Sequence, residues 1–181
     1  LTTSATNVIG FGEDFAARVE HMKKIRNLQA HSLKHYGTGF TSFIAWPVQL
    51  ETNTFGRRNR GQNKHVLGAG SSEYLRHLAI SRLFLDNIEH IQASWPTMGI
   101  AVAQMALLAG ADDAGSTMME ENVVSASGTT KLDATETELQ SSIIRAGFKP
   151  RRRNSDYDRL DTTVLVPELD ELVAPPPLIT S

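Results

Sequence analysis

The sequence predicts an α/β fold: half of a barrel, built from four strand–helix units in a row. Strand-like and helix-like segments alternate four times with mostly short connections, which calls for a parallel sheet with right-handed crossovers. Polar residues also recur at strand positions that a packed barrel fills with Val, Ile and Leu. At 181 residues the chain is too short to close an eight-stranded barrel, which takes ~250, so half a barrel or a small open sheet remains.

A first strand runs from about Thr2 to Ile9 and ends at Gly10 and Gly12. Glu13 and Asp14 then open a long helix, where negative charge suits the helix dipole, with Phe15, Val19, Met22 and Ile25 on one face. It ends before Gly37 and Gly39. Phe40 to Trp46 is the second strand, stopped by Pro47. A loop from about Leu50 to Gly70 follows, holding Arg57, Arg58, Arg60 and Lys64. Ser71 or Ser72 caps the next helix, which turns Leu75, Leu78, Ala79 and Leu83 to the sheet. The third strand spans His90 to Trp95, and the helix after it contains Val102, Ala106 and Ala109 and closes at Gly110. A fourth strand runs from about Asp112 to Met119. The last helix opens on a capping box, Thr135 with Glu138, and stops at Gly147. Residues 1–160 form the folded unit; 161–181, with Pro175 to Pro177, have little periodicity and read as a disordered tail.

The chain is 40% hydrophobic and 21% charged with net charge -2, which describes one globular domain with a sizeable core. So even a balance gives no argument for nucleic acid or an anionic membrane as partner. There is no cysteine, hence no disulfide and no thiolate metal site. His21, His31, His35, His65 and His77 lack metal-ligand spacing, and the i, i+4 pair His31 and His35 reads as solvated helix surface. No run reaches the ~18 apolar residues of a membrane span. The N-terminus has neither the basic flank nor the apolar core of a signal peptide. A chain that begins at Leu1, directly on strand-like sequence, reads as a processed or truncated piece.

Chemistry concentrates between His90 and Asn122. Thr6, Ser42, Gln92, Ser94 and Thr117 are polar residues at candidate interior positions, and burying each one dry and unpaired would cost ~1–3 kcal/mol. A barrel with an occupied centre follows. Gln92 and Ser94 lie towards the C-terminal end of their strand, the catalytic end of barrel enzymes; otherwise they bond neighbouring strands. Glu120 and Glu121 point opposite ways in a regular strand, so one of them takes a site role, accepting hydroxyls or a proton, unless both serve a following helix N-terminus. Thr117 follows Gly115 and Ser116, small residues that admit a ligand or tight packing. Trp46 stacks on a ring or caps the rim. His90 is expected to be structural, and so are Asp112 and Asp113 at the barrel bottom. The basic loop is either a lid over an anionic substrate or a solvated run, and Arg151 to Arg153 read as surface.

Three stretches carry a resemblance: FTSFIAWPVQ, YLRHLAISRLFLDNIEHIQASW and GADDAGSTMMEENVVSASGTT. They resemble the C-terminal half of a radical S-adenosylmethionine (SAM) subfamily that includes dehypoxanthine futalosine cyclase, aminofutalosine synthase and the deazaflavin FO synthases. The similarity covers about Thr2 to Arg159, and LDNIEHIQASW joined to STMMEENVVSASGTT is most like the cyclases. The resemblance implies the C-terminal half of a (β/α)8 barrel in a cytoplasmic enzyme of menaquinone biosynthesis. It implies SAM and a [4Fe-4S] cluster as cofactors, a nucleoside-derived substrate, and the missing N-terminal barrel half as partner. Site residues implied are Ser42, Trp46, Gln92, Ser94 and Thr117 for binding, and Glu120 or Glu121 for catalysis. The chain departs from the family in having no CxxxCxxC loop, so alone it should neither bind the cluster nor turn over. Ala45 and Leu50 stand where prolines are expected. Rival readings are a sister enzyme of the subfamily and a non-catalytic half-barrel remnant.

Overall fold

A computed structural model describes residues 3–50, 54–59, 67–117 and 133–166. In order come β1 (Thr3–Ile9), α1 (Phe15–Tyr36), β2 (Phe40–Pro47), α2 (Thr54–Asn59), α3 (Ser71–Phe84) and β3 (His90–Gln92). Then follow α4 (Trp95–Met98), α5 (Ile100–Leu108), α6 (Glu136–Arg145), β4 (Arg152–Arg153) and β5 (Arg159–Leu160). β1, β2 and β3 form one open parallel sheet in that order, and β4 pairs antiparallel with β5.

The register defines the two sheet faces. Ala5 pairs with Phe43 and Phe43 with Ile91, while Thr6 pairs with Ile44 and Ile44 with Gln92. Side chains alternate across a strand. One face therefore carries Ala5, Phe43, Ala45 and Ile91, all buried in a core shared with α1, α3 and α5. Fully burying a side chain such as Phe43 contributes ~1.5–3 kcal/mol. The opposite face carries Thr6, Val8, Ser42, Ile44, Trp46, His90 and Gln92. This is the open face, the lumen side of the expected barrel.

Several expectations need correction. The third strand stops at Gln92 because Pro96 sits in the first turn of α4, and Ser94 takes its N-cap position. The fourth strand is reduced, among the described residues, to a single parallel bridge between Gln92 and Asp113. Gly115 at φ 88 bends the chain out of the ladder two residues later. In α1 the buried stripe is Arg18, Met22, Ile25 and Gln29, so Phe15 and Val19 are exposed. The rotation is possible because the polar members bring partners. Arg18 pairs with Glu13 and Glu73, and Gln29 bonds both the N–H and the carbonyl of Phe40. In α3 the cap is Gly70 with no side-chain bond, the buried residues are Tyr74, His77, Leu78 and Ser81, and Leu83 is 82% exposed. The Leu50–Gly70 loop contains the short helix α2.

Asp14 does cap α1, accepting from Ala17 N–H at 2.7 Å, and Gly37 ends it at φ 69. The capping box of Thr135 and Glu138 opens α6. Residues 161–166, the start of the expected tail, are tied to α6: Gln140 donates to Thr163 O and accepts from Leu165 N–H. No helix of the described residues is long and apolar enough to cross a membrane.

Candidate functional site

The open face has two ends of different character. Its upper end, at the C-termini of the strands, is formed by Val8, Trp46 and Gln92, with Phe11 and Phe55 nearby in edge-to-face contact at 5.5 Å. Val8 and Trp46, register partners, are both more than two-fifths exposed. Gln92 is half-buried beside Gly115, where an added Cβ would stand 3.3 Å from the amide nitrogen. Thr117 is exposed, directly ahead of the undescribed stretch 118–132. Here exposed apolar and aromatic side chains share the strand ends with the Gln92 amide, a combination suited to stacking and hydrogen bonding.

The β1–α1 loop at this end is held from behind the sheet. Glu13 accepts from Gly10 N–H at 2.9 Å and Phe11 N–H at 2.7 Å, and Arg18 grips it at 2.6 Å. Burial pushes the Glu13 carboxyl up, but these hydrogen bonds outweigh it and hold the group below its ordinary value. Arg18, with a side chain 7% exposed, reaches on to Glu73 at 2.6 Å. Beside it His77 meets the Asn7 amide at 3.2 Å. Burial, reinforced by the Arg18 charge, lowers the His77 imidazole to about 4, so it is neutral at pH 7.

The lower end is closed. The β4–β5 hairpin places Tyr157 flat on His90, centroids 3.9 Å apart, and its hydroxyl donates to Asp113 Oδ2 at 2.6 Å. Arg153 Nη2 reaches the same oxygen at 2.6 Å, and Asp113 Oδ1 accepts from Gly115 N–H at 2.9 Å. His90 Nδ1 and Arg82 bond the other aspartate, Asp112, each at 2.6 Å. Burial first, then the bond to Asp113, pushes the Tyr157 phenol well above its ordinary value. Its backbone is left-handed, φ 64, costing ~1–2 kcal/mol that the surrounding contacts offset. A cavity of about 740 Å³ opens beside this end, lined by Asp113, Gly115, Leu139, Phe148 and Arg153.

The expected site residues are thus divided. Trp46 and Gln92 belong to the upper end, whereas Thr117 lines the cavity beside the lower end. Ser42, 3% exposed, lies at the bottom as the register partner of His90. Ser94 is buried, its hydroxyl 2.8 Å from that of Thr97 and its N–H donating to the Tyr74 hydroxyl at 2.8 Å. Glu120 and Glu121 lie outside the described residues. So do Arg60 and Lys64 of the basic loop and the side chain of Arg58, while Arg57 is exposed on α2. Asp112, Asp113 and His90 hold the fold together, as read from the sequence. Arg153, expected at the surface, is instead an ion-pair partner of a buried carboxylate. Sequence reasoning gave Tyr157 no role, although its setting in Asn-Ser-Asp-Tyr-Asp (154–158) is dense in turn formers.

The fold class is α/β, with an open, parallel three-stranded sheet accessible at its upper end. Residues 37–165 match the family described as the CofH/MqnC C-terminal region, and the chain belongs to it. It is 43% identical over 159 residues to the cyclic dehypoxanthine futalosine synthase of Halalkalibacterium halodurans, covering 88% of this chain and 39% of that protein. It is 40% identical over 160 residues to the synthase of the same name from Streptomyces coelicolor, covering 88% and 37%. To the aminodeoxyfutalosine synthase of Thermus thermophilus it is 34% identical over 158 residues, covering 87% and 40%. The chain spans about two-fifths of the length of these curated relatives.

Proposed function

We propose that the protein containing this chain is a radical SAM enzyme that cyclises dehypoxanthine futalosine in menaquinone biosynthesis. This chain supplies the substrate-binding half of its barrel, with three paired strands and a fourth segment bridged to them at Asp113. One observation carries the reading: identity is 43% and 40% to the two cyclic dehypoxanthine futalosine synthases and 34% to the aminodeoxyfutalosine synthase, over nearly the same stretch. The exposed upper face fits a nucleoside-derived substrate. Gln92 and Thr117 hydrogen-bond it, Trp46 covers it against solvent, and Glu120 or Glu121 takes the proton released when the aromatic ring is restored.

With no cysteine in the chain, no residue of it fits a thiolate-held [4Fe-4S] cluster, whose ligands belong to sequence outside it. In this family cluster and SAM together supply a 5′-deoxyadenosyl radical. The rest of the barrel has a place to join. Among the described residues β1 pairs with β2 alone, and Val8, Phe11, Phe15 and Val19 are exposed around β1 and the start of α1. Without that partner the open edge favours self-association, which sedimentation of the isolated chain would show; a monodisperse, cooperatively melting monomer would contradict it.

The deciding experiment is anaerobic turnover of the full reading frame with SAM, a reductant and dehypoxanthine futalosine. Cyclic product establishes the cyclase. 5′-Deoxyadenosine without cyclic product points to a sister enzyme, and neither product with no cluster bound points to a non-catalytic remnant.

A further inference from the structure

The hairpin at 152–160 is fixed to the sheet through one carboxylate. Asp113 receives the Tyr157 hydroxyl and the Arg153 guanidinium on one oxygen and the Gly115 N–H on the other. Asp113 is also the single described bridge of the fourth segment to β3, its carbonyl accepting from Ala93 N–H at 2.8 Å. Gly115 in turn has space for no side chain without crowding the Gln92 amide and the Trp95 indole, each 3.3 Å from where a Cβ would stand. Trp95 donates to Ser116 O at 3.2 Å, one residue before Thr117. A continuous set of contacts thus runs from the hairpin through Asp113 and Gly115 to Gln92, Trp95 and Ser116.

The turn is built to aim Tyr157. Asn154 Oδ1 accepts from Asp156 and Asp158 N–H, and Tyr157 N–H donates to Asn154 O. A backbone conformation that favours glycine here carries a tyrosine, and such an outlier marks a side chain whose placement matters. The ring is held between His90, with planes 5° apart, and the Arg153 guanidinium, 4.4 Å from its centroid.

We propose that Tyr157 and Arg153 are positioning residues: by clamping Asp113, the bridge partner of Gln92, they set where the Gln92 side chain stands. The consequence for substrate rests on the function proposed above; the clamp itself does not. The Tyr157 hydroxyl and the Arg153 guanidinium act through Asp113, while the Tyr157 ring rests on His90.

The test uses the full-length protein and two readouts, amide hydrogen exchange and steady-state kinetics with dehypoxanthine futalosine. Tyr157→Phe removes the hydroxyl and keeps the ring. It should raise exchange at Gly115 about tenfold while leaving the α1 amides unchanged. KM should rise about tenfold with kcat within about twofold, because the displaced groups bind rather than react. Arg153→Lys, which keeps the charge, should fall between wild type and Arg153→Met. Unchanged exchange at Gly115 in Tyr157→Phe overturns the proposal. So does a uniform rise in every element, which marks general destabilisation, or a loosened Gly115 with unchanged KM. If the wild-type protein does not turn over the futalosine, the functional reading fails by itself; the local exchange contrast then still supports or overturns the clamp.

Discussion

The lower and upper ends of one sheet face differ in how their polar groups are satisfied. At the bottom, His90 and Asp112 are engaged by Tyr157 and Arg82, and Asp113, level with Gln92, is engaged by Tyr157 and Arg153. At the top, Val8 and Trp46 stand exposed and Gln92 is half-buried. Polar residues on the inner face of a strand therefore say two different things. Near the N-terminal end they close the fold; near the C-terminal end the proposed function gives them to a ligand. The position along the strand decides which.

Removing the bottom anchor should break this contrast most. Asp113→Ala leaves Arg153 without its carboxylate and Tyr157 without its acceptor, and should cost about 3 kcal/mol in urea unfolding of the full protein. Loss below about 1 kcal/mol would show the lower end to be less coupled than its geometry states.

A comparable effect should come from acid, behind the sheet. His77 is lowered to about 4 in the fold, against an ordinary value of 6.5, and faces Arg18, Glu13, Glu73 and His21. The unfolded chain binds the proton first, so this contribution is complete above pH 6.5 and is lost as pH falls towards 4. It amounts to roughly 3 kcal/mol at most. Glu13, also held below its ordinary value, loses stability in the same direction. Unfolding midpoints measured from pH 7 to 4 should fall in wild type, and less steeply in His77→Gln.

The two ends should then separate in kinetics. Gln92→Ala at the top should lower kcat/KM about tenfold and change stability by less than ~0.5 kcal/mol. Ser42→Ala at the bottom should do the reverse, costing about 1 kcal/mol of stability with kcat/KM nearly unchanged. If Ser42→Ala impairs substrate use as strongly as Gln92→Ala, the division between the ends is wrong.

Legibility from sequence followed the same physical line. β1, β2 and the capping box of α6 were readable because local pattern and final structure agree: alternation with a stopping proline, and Thr135 with Glu138. Helix faces were misread where polar residues are buried. Apolar spacing points to Phe15 and Val19, but Arg18 and Gln29 find partners in distant segments, Glu73 and Phe40, which no local window contains. Ser94 was misplaced because alternation cannot show that the chain turns into α4. The family could be read because its long motifs survive in the sequence, whereas the hairpin's role arises from contacts 40 and 44 residues apart.

Gly10 lies beneath the 67–70 segment, its carbonyl accepting from Gly68 N–H at 2.7 Å, and an added Cβ would stand only 2.7 Å from Gly68 C. Gly37 has an equally unusual backbone, φ 69, yet open space around it. In a saturation library these two glycines would leave unlike signatures. Position 37 would admit asparagine and, grudgingly, other small residues. Position 10 would read as an empty column, since even the least demanding replacement must push one strand-top loop off another and so pry open the rim at the top of the sheet.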